Sequence, residues 1–495
     1  MKNSDLIQVD PNVATTESFW ETAEDAIKGV NSCYGKLCVD GTYMRSTPLM
    51  LDLRGDGTRS QSPWGAMFNV GRFNSSPADP AIYGWAYETY YQGIYRCNQV
   101  LENVPSIEMD GELKNRVLGQ AYFLRGLYLF HAVNLFRNVP LPTSTELYHP
   151  QKTNAEGWAQ VMADFTEAAN LLPVSYDNTG GLDAGDIGRA TQGAALAFLG
   201  KAQLFNKQFG EAEITFKKVM DLGVYDLVSD YRDNFTETNE NNEESVFEVQ
   251  FDREVGGVDL SWCCDPAPGW GRTSARAITY APRGFGWTDV QPTQTAFNDF
   301  LIEKTVNNEE DPRLKATMLY NAPGVTLYGQ VFSDYYAANP ADLNALFCRK
   351  YQNDETKVDE FDWRSGINER IMRYADVLMM YAECLNENGK TAEAYQHIQR
   401  VRDRVGLPIL SDTKPNMSQA EMRDQIAHER MLEFLLEGHR FDDIRRWGWL
   451  QDATKLAWLK ARDPEMENYI EGREYFPIPQ FEIDNNPGTV QNPGY

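Results

Sequence analysis

Apolar side chains return every three to four residues along several long stretches of this chain, and that period predicts helices. Phe19, Trp20, Ala23, Ala26, Ile27 and Val30 mark a first helix over Glu17–Tyr34, with Thr15, Thr16 and Thr22 as capping groups. The pattern resumes over Tyr83–Asn103 and over Gly111–Phe136. Within the latter, Tyr122–Phe130 is apolar nearly all round and so belongs in a core. Gly119 and Gly126 would let a neighbouring helix approach closely. Asn138-Val139-Pro140-Leu141-Pro142 stops this helix, because proline removes a donor and disfavours helical backbone before it. Another helix, over Asn154–Leu172, ends at Pro173.

A repeat follows. In Leu199–Leu222 the small residues Gly200 and Ala212 stand twelve apart, with Phe205, Phe216 and Val219 at large apolar positions. This is the spacing of a tetratricopeptide helix pair. Ala382 and Ala394 repeat it, followed by Ile398 and Val401, in a weaker copy that ends near Gly406-Leu407-Pro408. Each pair has an apolar face that only a neighbour can bury. Two copies so far apart predict a helical scaffold interrupted by insertions.

The first interruption, Lys36–Ile82, is rich in Gly, Pro, Asn, Asp and Ser, yet carries Trp64, Phe68, Arg72 and Phe73. A long loop with aromatics reads as functional. The largest insertion runs from about Asn234 to Asn368. It opens on the alternating run Ser245–Phe251, a strand signal, and continues through turn-rich segments holding Trp262, Trp270, Tyr280, Phe285 and Trp287. Short strands are expected near Thr326–Phe332 and Phe347–Tyr351, then helices over Glu369–Asn388, Thr391–Val405 and Ser418–Glu437. The expected architecture is mainly α, a single domain over 1–495. Its helical scaffold covers about 15–235 and 368–450, its loop-rich insertion with short strands about 236–367, and its irregular tail about 475–495.

Charge narrows the partners. The chain has 46 basic and 72 acidic residues, a net −26. Nucleic acid binding needs a basic field to release counterions, so this balance excludes it; it equally disfavours direct adhesion to anionic membrane surfaces. A neutral ligand is indifferent to the field, whereas a polyanion would need a local basic patch. No run of about 18 apolar residues predicts a membrane-spanning helix, and Met1-Lys2-Asn3-Ser4-Asp5 lacks a signal-peptide apolar region. The seven cysteines include no C-x-x-C. Cys33 and Cys38 could pair across a short loop or stay as reduced thiols.

Catalytic signatures are absent. His428-Glu429 is followed by Leu432 where a zinc protease needs histidine, His439 stands alone, and neither a G-x-S-x-G elbow nor a Walker A loop occurs. No catalytic residue and no metal site is assigned. The Asp52–Asp56 loop supplies oxygens that could suit calcium, without the distant bidentate glutamate of an EF-hand. Glu429, Glu433 and Glu437 share one helix face and would repel unless paired. With Arg430, Arg440, Arg445 and Arg446 close in sequence, they read as a partly buried ion network; paired carboxylates could otherwise serve glycoside chemistry.

Several segments together resemble one family. They are Ala121-Tyr122-Phe123-Leu124-Arg125-Gly126-Leu127-Tyr128 with Leu135-Phe136-Arg137-Asn138-Val139-Pro140-Leu141, then Gly188-Arg189-Ala190-Thr191-Gln192-Gly193-Ala194-Ala195, then Arg373–Glu383 (RYADVLMMYAE). His428-Glu429-Arg430-Met431-Leu432-Glu433, Glu437-Gly438-His439-Arg440 and Asp443-Ile444-Arg445-Arg446-Trp447-Gly448 continue the series, and Pro477-Ile478-Pro479 through Asn486-Pro487 closes it. In this order, from about Thr16 to Tyr495, the chain resembles the SusD/RagB family. It departs at Gly126, where alanine is usual, and at Arg137, where glycine is usual.

The resemblance implies a helical, non-catalytic binding protein with tetratricopeptide-like pairs on the extracellular face of the outer membrane of Bacteroidetes. It implies a lipid anchor on a cysteine absent from this chain, an oligosaccharide (sometimes peptide) ligand, and a SusC-like TonB-dependent transporter as partner in nutrient uptake. A glycan-processing enzyme and a peptide-binding scaffold are the competing readings. Sugar binding needs aromatic platforms with planar polar partners. Two loop regions hold both, and family contacts come from these neighbourhoods: Asp56, Arg59, Trp64, Asn69, Arg72 and Asn74 in the first, and Trp262, Trp270, Arg272, Arg276, Tyr280 and Trp287 in the second. Trp64, Arg72, Asp56, Asn69, Trp262, Trp270, Tyr280 and Trp287 are the ligand candidates. Trp85, at the start of a helix, reads as core.

Overall fold

Thr22 caps the first helix: its hydroxyl accepts from the Asp25 N–H while the Asp25 carboxylate returns the bond, a reciprocal cap that starts the helix later than the apolar pattern suggests. The computed structural model describes residues 19–255 and 272–495. The elements that position the site are helices α1 (Ala23–Gly35), α2 (Ser46–Asp52), α3 (Gly65–Gly71), α4 (Tyr83–Asn103), α5 (Gly111–Phe136), α6 (Asn154–Leu171), α7 (Gln192–Phe205), α8 (Phe209–Asp221), α9 (Tyr374–Glu387), α10 (Thr391–Arg404) and α11 (Gln419–Phe434). Among the described residues the strands are few and short and pair only in twos. Four of them matter here: β1 (Thr58–Ser60), β2 (Ser245–Val249), β3 (Val290–Pro292) and β4 (Glu369–Arg373).

The helices stack in chain order, α4 on α5, α5 on α6, α6 on α7 and α7 on α8. Two glycines set the spacing. A Cβ on Gly126 would stand 3.0 Å from the Phe165 ring, and one on Gly200 would stand 2.7 Å from the Phe216 ring. Both positions therefore let a ring lie directly on helix backbone. Then α8 packs on α9, and α9 on α10. The two tetratricopeptide-like pairs, separated in sequence by the whole insertion, are neighbours in space, and Lys390 reaches Glu213 across their junction at 2.6 Å. Arg137, where the family pattern has glycine, takes φ +68° at the end of α5, a left-handed turn that glycine would adopt freely.

Three expectations change. The segment Glu369–Asn388 is a strand and then a helix: β4 pairs antiparallel with β2 through an irregular register before α9 begins at Tyr374. The region Lys36–Ile82 is ordered by α2, α3 and β1. The helix expected over Ser418–Glu437 stops at Phe434, and Leu436 turns left-handed at φ 66° beyond it. The short strands expected near Thr326–Phe332 are present as a tight hairpin, Thr326–Leu327 against Gln330–Val331, turning through Tyr328 and Gly329 at φ 47° and 77°. One large core runs through the helices and onto β2, with smaller clusters around Phe285–Phe347 and Phe441–Leu459. Cys33, Cys38, Cys97, Cys348 and Cys384 are buried free thiols, so Cys33 and Cys38 do not pair; Cys263 and Cys264 lie outside the described residues.

Candidate functional site

Strand β1 runs antiparallel to β3, Thr58 opposite Pro292 and Ser60 opposite Val290. The pairing continues as Gln61 N–H donates to the Asp289 carbonyl at 2.7 Å. Extending that register places Trp64 and Trp287 at the same end of the ribbon, so the two loop regions meet there. Trp64 is the N-cap residue of α3, half-buried, its N–H donating to Ser62 Oγ at 3.2 Å. Its ring lies 5.6 Å from that of Trp85 at 33°. Trp85 is thus half-buried beside Trp64 and not core. Trp287 is half-buried and meets Trp363 edge to face, centroids 5.4 Å apart at 74°.

Polar groups border these rings. The Arg45 guanidinium stands 5.5 Å from the Trp64 ring centroid and grips Asp40 with both arms, at 2.8 and 2.6 Å. Burial raises the Asp40 carboxyl pKa, against the pull of Arg45. Asp289 is likewise raised by burial, opposed by a hydrogen bond from Ser62 and by the charge of Arg45. These polar groups are themselves buried, so they fix the rings in place, and the half-exposed indole faces are what the site offers to the C–H faces of a sugar. Arg45, Asp40, Ser62, Asp289 and Trp363 carried no signal in the sequence. They come from segments brought together by the β1–β3 pairing, by the Ala275 N–H bonding the Met44 carbonyl at 3.2 Å and by the Glu360 N–H bonding the Phe285 carbonyl at 2.8 Å.

The other candidates scatter. Asp56 is fully buried and holds Arg440 at 2.6 Å and Arg462 at 2.6 Å; burial pushes its carboxyl up, but the two arginines prevail and set it to about 2. Tyr280 is buried too, its hydroxyl donating to Asp52 at 3.0 Å beside the buried Arg276. Asp56, Tyr280 and Arg276 hold the fold under the site and have no surface to offer a ligand. In the Asp52–Asp56 loop both carboxylates face arginines, Asp52 meeting Arg276 and Asp56 meeting Arg440 and Arg462. Arg72 reaches Glu465 at 3.3 Å with its guanidinium over Phe68, at the far end of α3 from Trp64. Asn69 is half-buried, its carbonyl taken by the Arg72 and Asn74 N–H groups. Arg59, Asn74 and Arg272 are exposed. Trp262 and Trp270 lie outside the described residues.

The three carboxylates have a structural use, Glu429 and Glu433 on α11 and Glu437 just beyond its end. Glu429, Glu433 and Glu437 are buried among Arg313, Arg373, Arg402, Arg404 and Lys350. The network exists, but its partners are remote in sequence. Arg430 instead binds Asp376 and Asp443, Arg440 binds Asp56, Arg445 binds Asp442, and Arg446 binds Glu383.

Known proteins fit this geometry. The fold superimposes on a SusD superfamily protein from Bacteroides vulgatus with a TM-score of 0.84 at 28% identity, covering 96% of this chain and all of the other. It also superimposes on a laminarin-binding SusD-like protein with a TM-score of 0.75 at 25% identity, covering 96% and 100%. A SusD-like protein from Formosa agariphila is 25% identical over 99% of this chain and 96% of its own. These define the class, a SusD-like helical protein. The SusD family model matches residues 243–495, and a model described as starch-binding associating with outer membrane matches 58–204; the chain belongs to the SusD family.

Proposed function

We propose that this protein binds oligo- or polysaccharide at the outer cell surface without cleaving it, and delivers it to a SusC-like TonB-dependent transporter. The observation that carries this reading is the pair of indole contacts at one end of the β1–β3 ribbon, Trp64 with Trp85 and Trp287 with Trp363, on a SusD-family scaffold. Location at the extracellular face of the outer membrane through a lipid anchor belongs to the same proposal, supported by the matched model's association with that membrane. Among the described residues no helix is long and apolar enough to cross a membrane. The absence of cleavage is supported by the carboxylates on α11 and just beyond it. Glycoside hydrolysis requires two carboxyl groups flanking the sugar, and Glu429, Glu433 and Glu437 are shut away under arginines.

Calorimetry and affinity electrophoresis against a polysaccharide panel that includes laminarin test the reading. Trp64→Ala and Trp287→Ala are expected to weaken binding about tenfold each, about 1.4 kcal/mol, with an almost unchanged melting temperature because both rings are half-exposed. Failure to bind any polysaccharide would overturn the proposal, and peptide binding in its place would favour a peptide carrier. Release of reducing sugar by the purified protein would contradict the non-catalytic assignment.

A further inference from the structure

The segment Lys357–Arg364 carries three apolar side chains into solvent: Val358 is 79% exposed, Phe361 50% and Trp363 37%. The helical scaffold gives no reason for them. Clustered exposed apolar side chains mark binding surfaces. The segment is also held rigidly. Glu360 is buried and accepts from the Asn353 N–H at 3.0 Å and from the Tyr328 hydroxyl at 3.0 Å. Its own N–H donates to the Phe285 carbonyl at 2.8 Å, which ties the loop to the strip that carries Trp287. Lys357 lies inside the turn, bonded to Asp362 and to the Arg364 carbonyl at 2.7 Å. Trp363 has φ +61°, a left-handed backbone that costs energy for a bulky residue and persists only where the surroundings impose it. Its ring stands at 74° to that of Trp287, so the two indoles cannot stack on one face of the same sugar.

We propose that this loop is a second wall of the glycan site. Trp363 and Phe361 contact sugar units beyond those on Trp64 and Trp287, and so make the protein select longer chains over short ones. The inference rests on the glycan reading. The test is a glycan array spanning disaccharides to decasaccharides, neutral and acidic, probed with the whole chain, with the loop variant Phe361→Ala, with Trp363→Tyr and with Trp64→Ala/Trp287→Ala. Wild type is expected to bind hexasaccharides and longer chains about tenfold more strongly than trisaccharides of the same series. Phe361→Ala should lose most of that gain while keeping the trisaccharide signal, and Trp363→Tyr, which keeps a ring, should retain most of it. If binding is lost in Trp64→Ala/Trp287→Ala but the loop variant matches wild type at every length, this inference is overturned and the glycan reading stands. If wild type binds no spot, both are overturned.

Discussion

Glu433 illustrates how much a single buried residue carries. Its carboxylate receives Arg404 at 2.5 Å, Arg373 at 3.0 Å and Arg313 at 3.3 Å, and its backbone carbonyl receives Lys350 at 3.0 Å. Burial works against the charge, but Arg404, Arg373 and Arg313 outweigh it and hold the carboxyl far below the usual carboxylate range. Glu433→Ala would leave three guanidinium groups buried with one fewer partner. A loss of about 3–5 kcal/mol is expected, read as a lower urea midpoint, while an exposed carboxylate such as Glu467 should cost almost nothing when replaced. The charge pattern on α11 was legible, since carboxylates four residues apart demand partners. The partners themselves were hidden. Successive helix positions turn by about 100°, so Arg430 leaves on another side, and the arginines that do arrive come from α10, β4 and Arg313.

At the scale of elements, the long helices were readable because period and caps agree. The predicted Tyr83–Asn103 and Gly111–Phe136 match α4 and α5, and α6 and α10 each end one residue short. Helices α2 and α3 were hidden, for helices of about seven residues are not stable alone and exist only through tertiary packing. The site shares that fate. Trp64 and Trp287 could be picked as loop aromatics, but nothing local told them from Tyr280 or Asp56, whose burial depends on strands and arginines far away. The helix pairs offer a direct test. Gly200→Val would drive a side chain into Phe216, where even a Cβ would be 2.7 Å from the ring, and should cost about 1–3 kcal/mol. Gly210 is exposed in the first turn of α8, and a Cβ there would meet nothing within 4 Å, so it should behave oppositely. Gly210→Ala is expected to stabilise by about 0.4–1 kcal/mol. Urea unfolding of the two variants beside wild type separates close approach from mere helix propensity.

Across the whole molecule, a buried polar centre joins helices that the chain visits far apart. Lys201 on α7 bonds Asp376 on α9 at 3.3 Å and His439 beyond α11 at 3.3 Å. His131 on α5 bonds the Tyr43 hydroxyl and stacks on Tyr90. Burial first, and then Lys201, pushes both histidines down to about 3. Unfolded, each would titrate near 6.5. The unfolded chain therefore binds more protons between about 3 and 6.5, so this contribution is complete above 6.5 and is lost as pH falls. Glu369 and Glu240, lifted to about 7 by burial, and Asp463, lifted to about 6, act in the opposite sense: folded, they hold protons longer, and their contribution fades as pH rises through those values. The wild-type profile is thus a balance, and the informative quantity is a difference. His131→Gln keeps a partner for Tyr43 but cannot titrate. Its unfolding free energy should change less steeply with pH than that of wild type between 6.5 and 4.5, by up to about 1.4 kcal/mol per pH unit for the one proton removed. Urea titrations at half-unit intervals measure this directly, and parallel curves would mean that His131 is already charged in the fold.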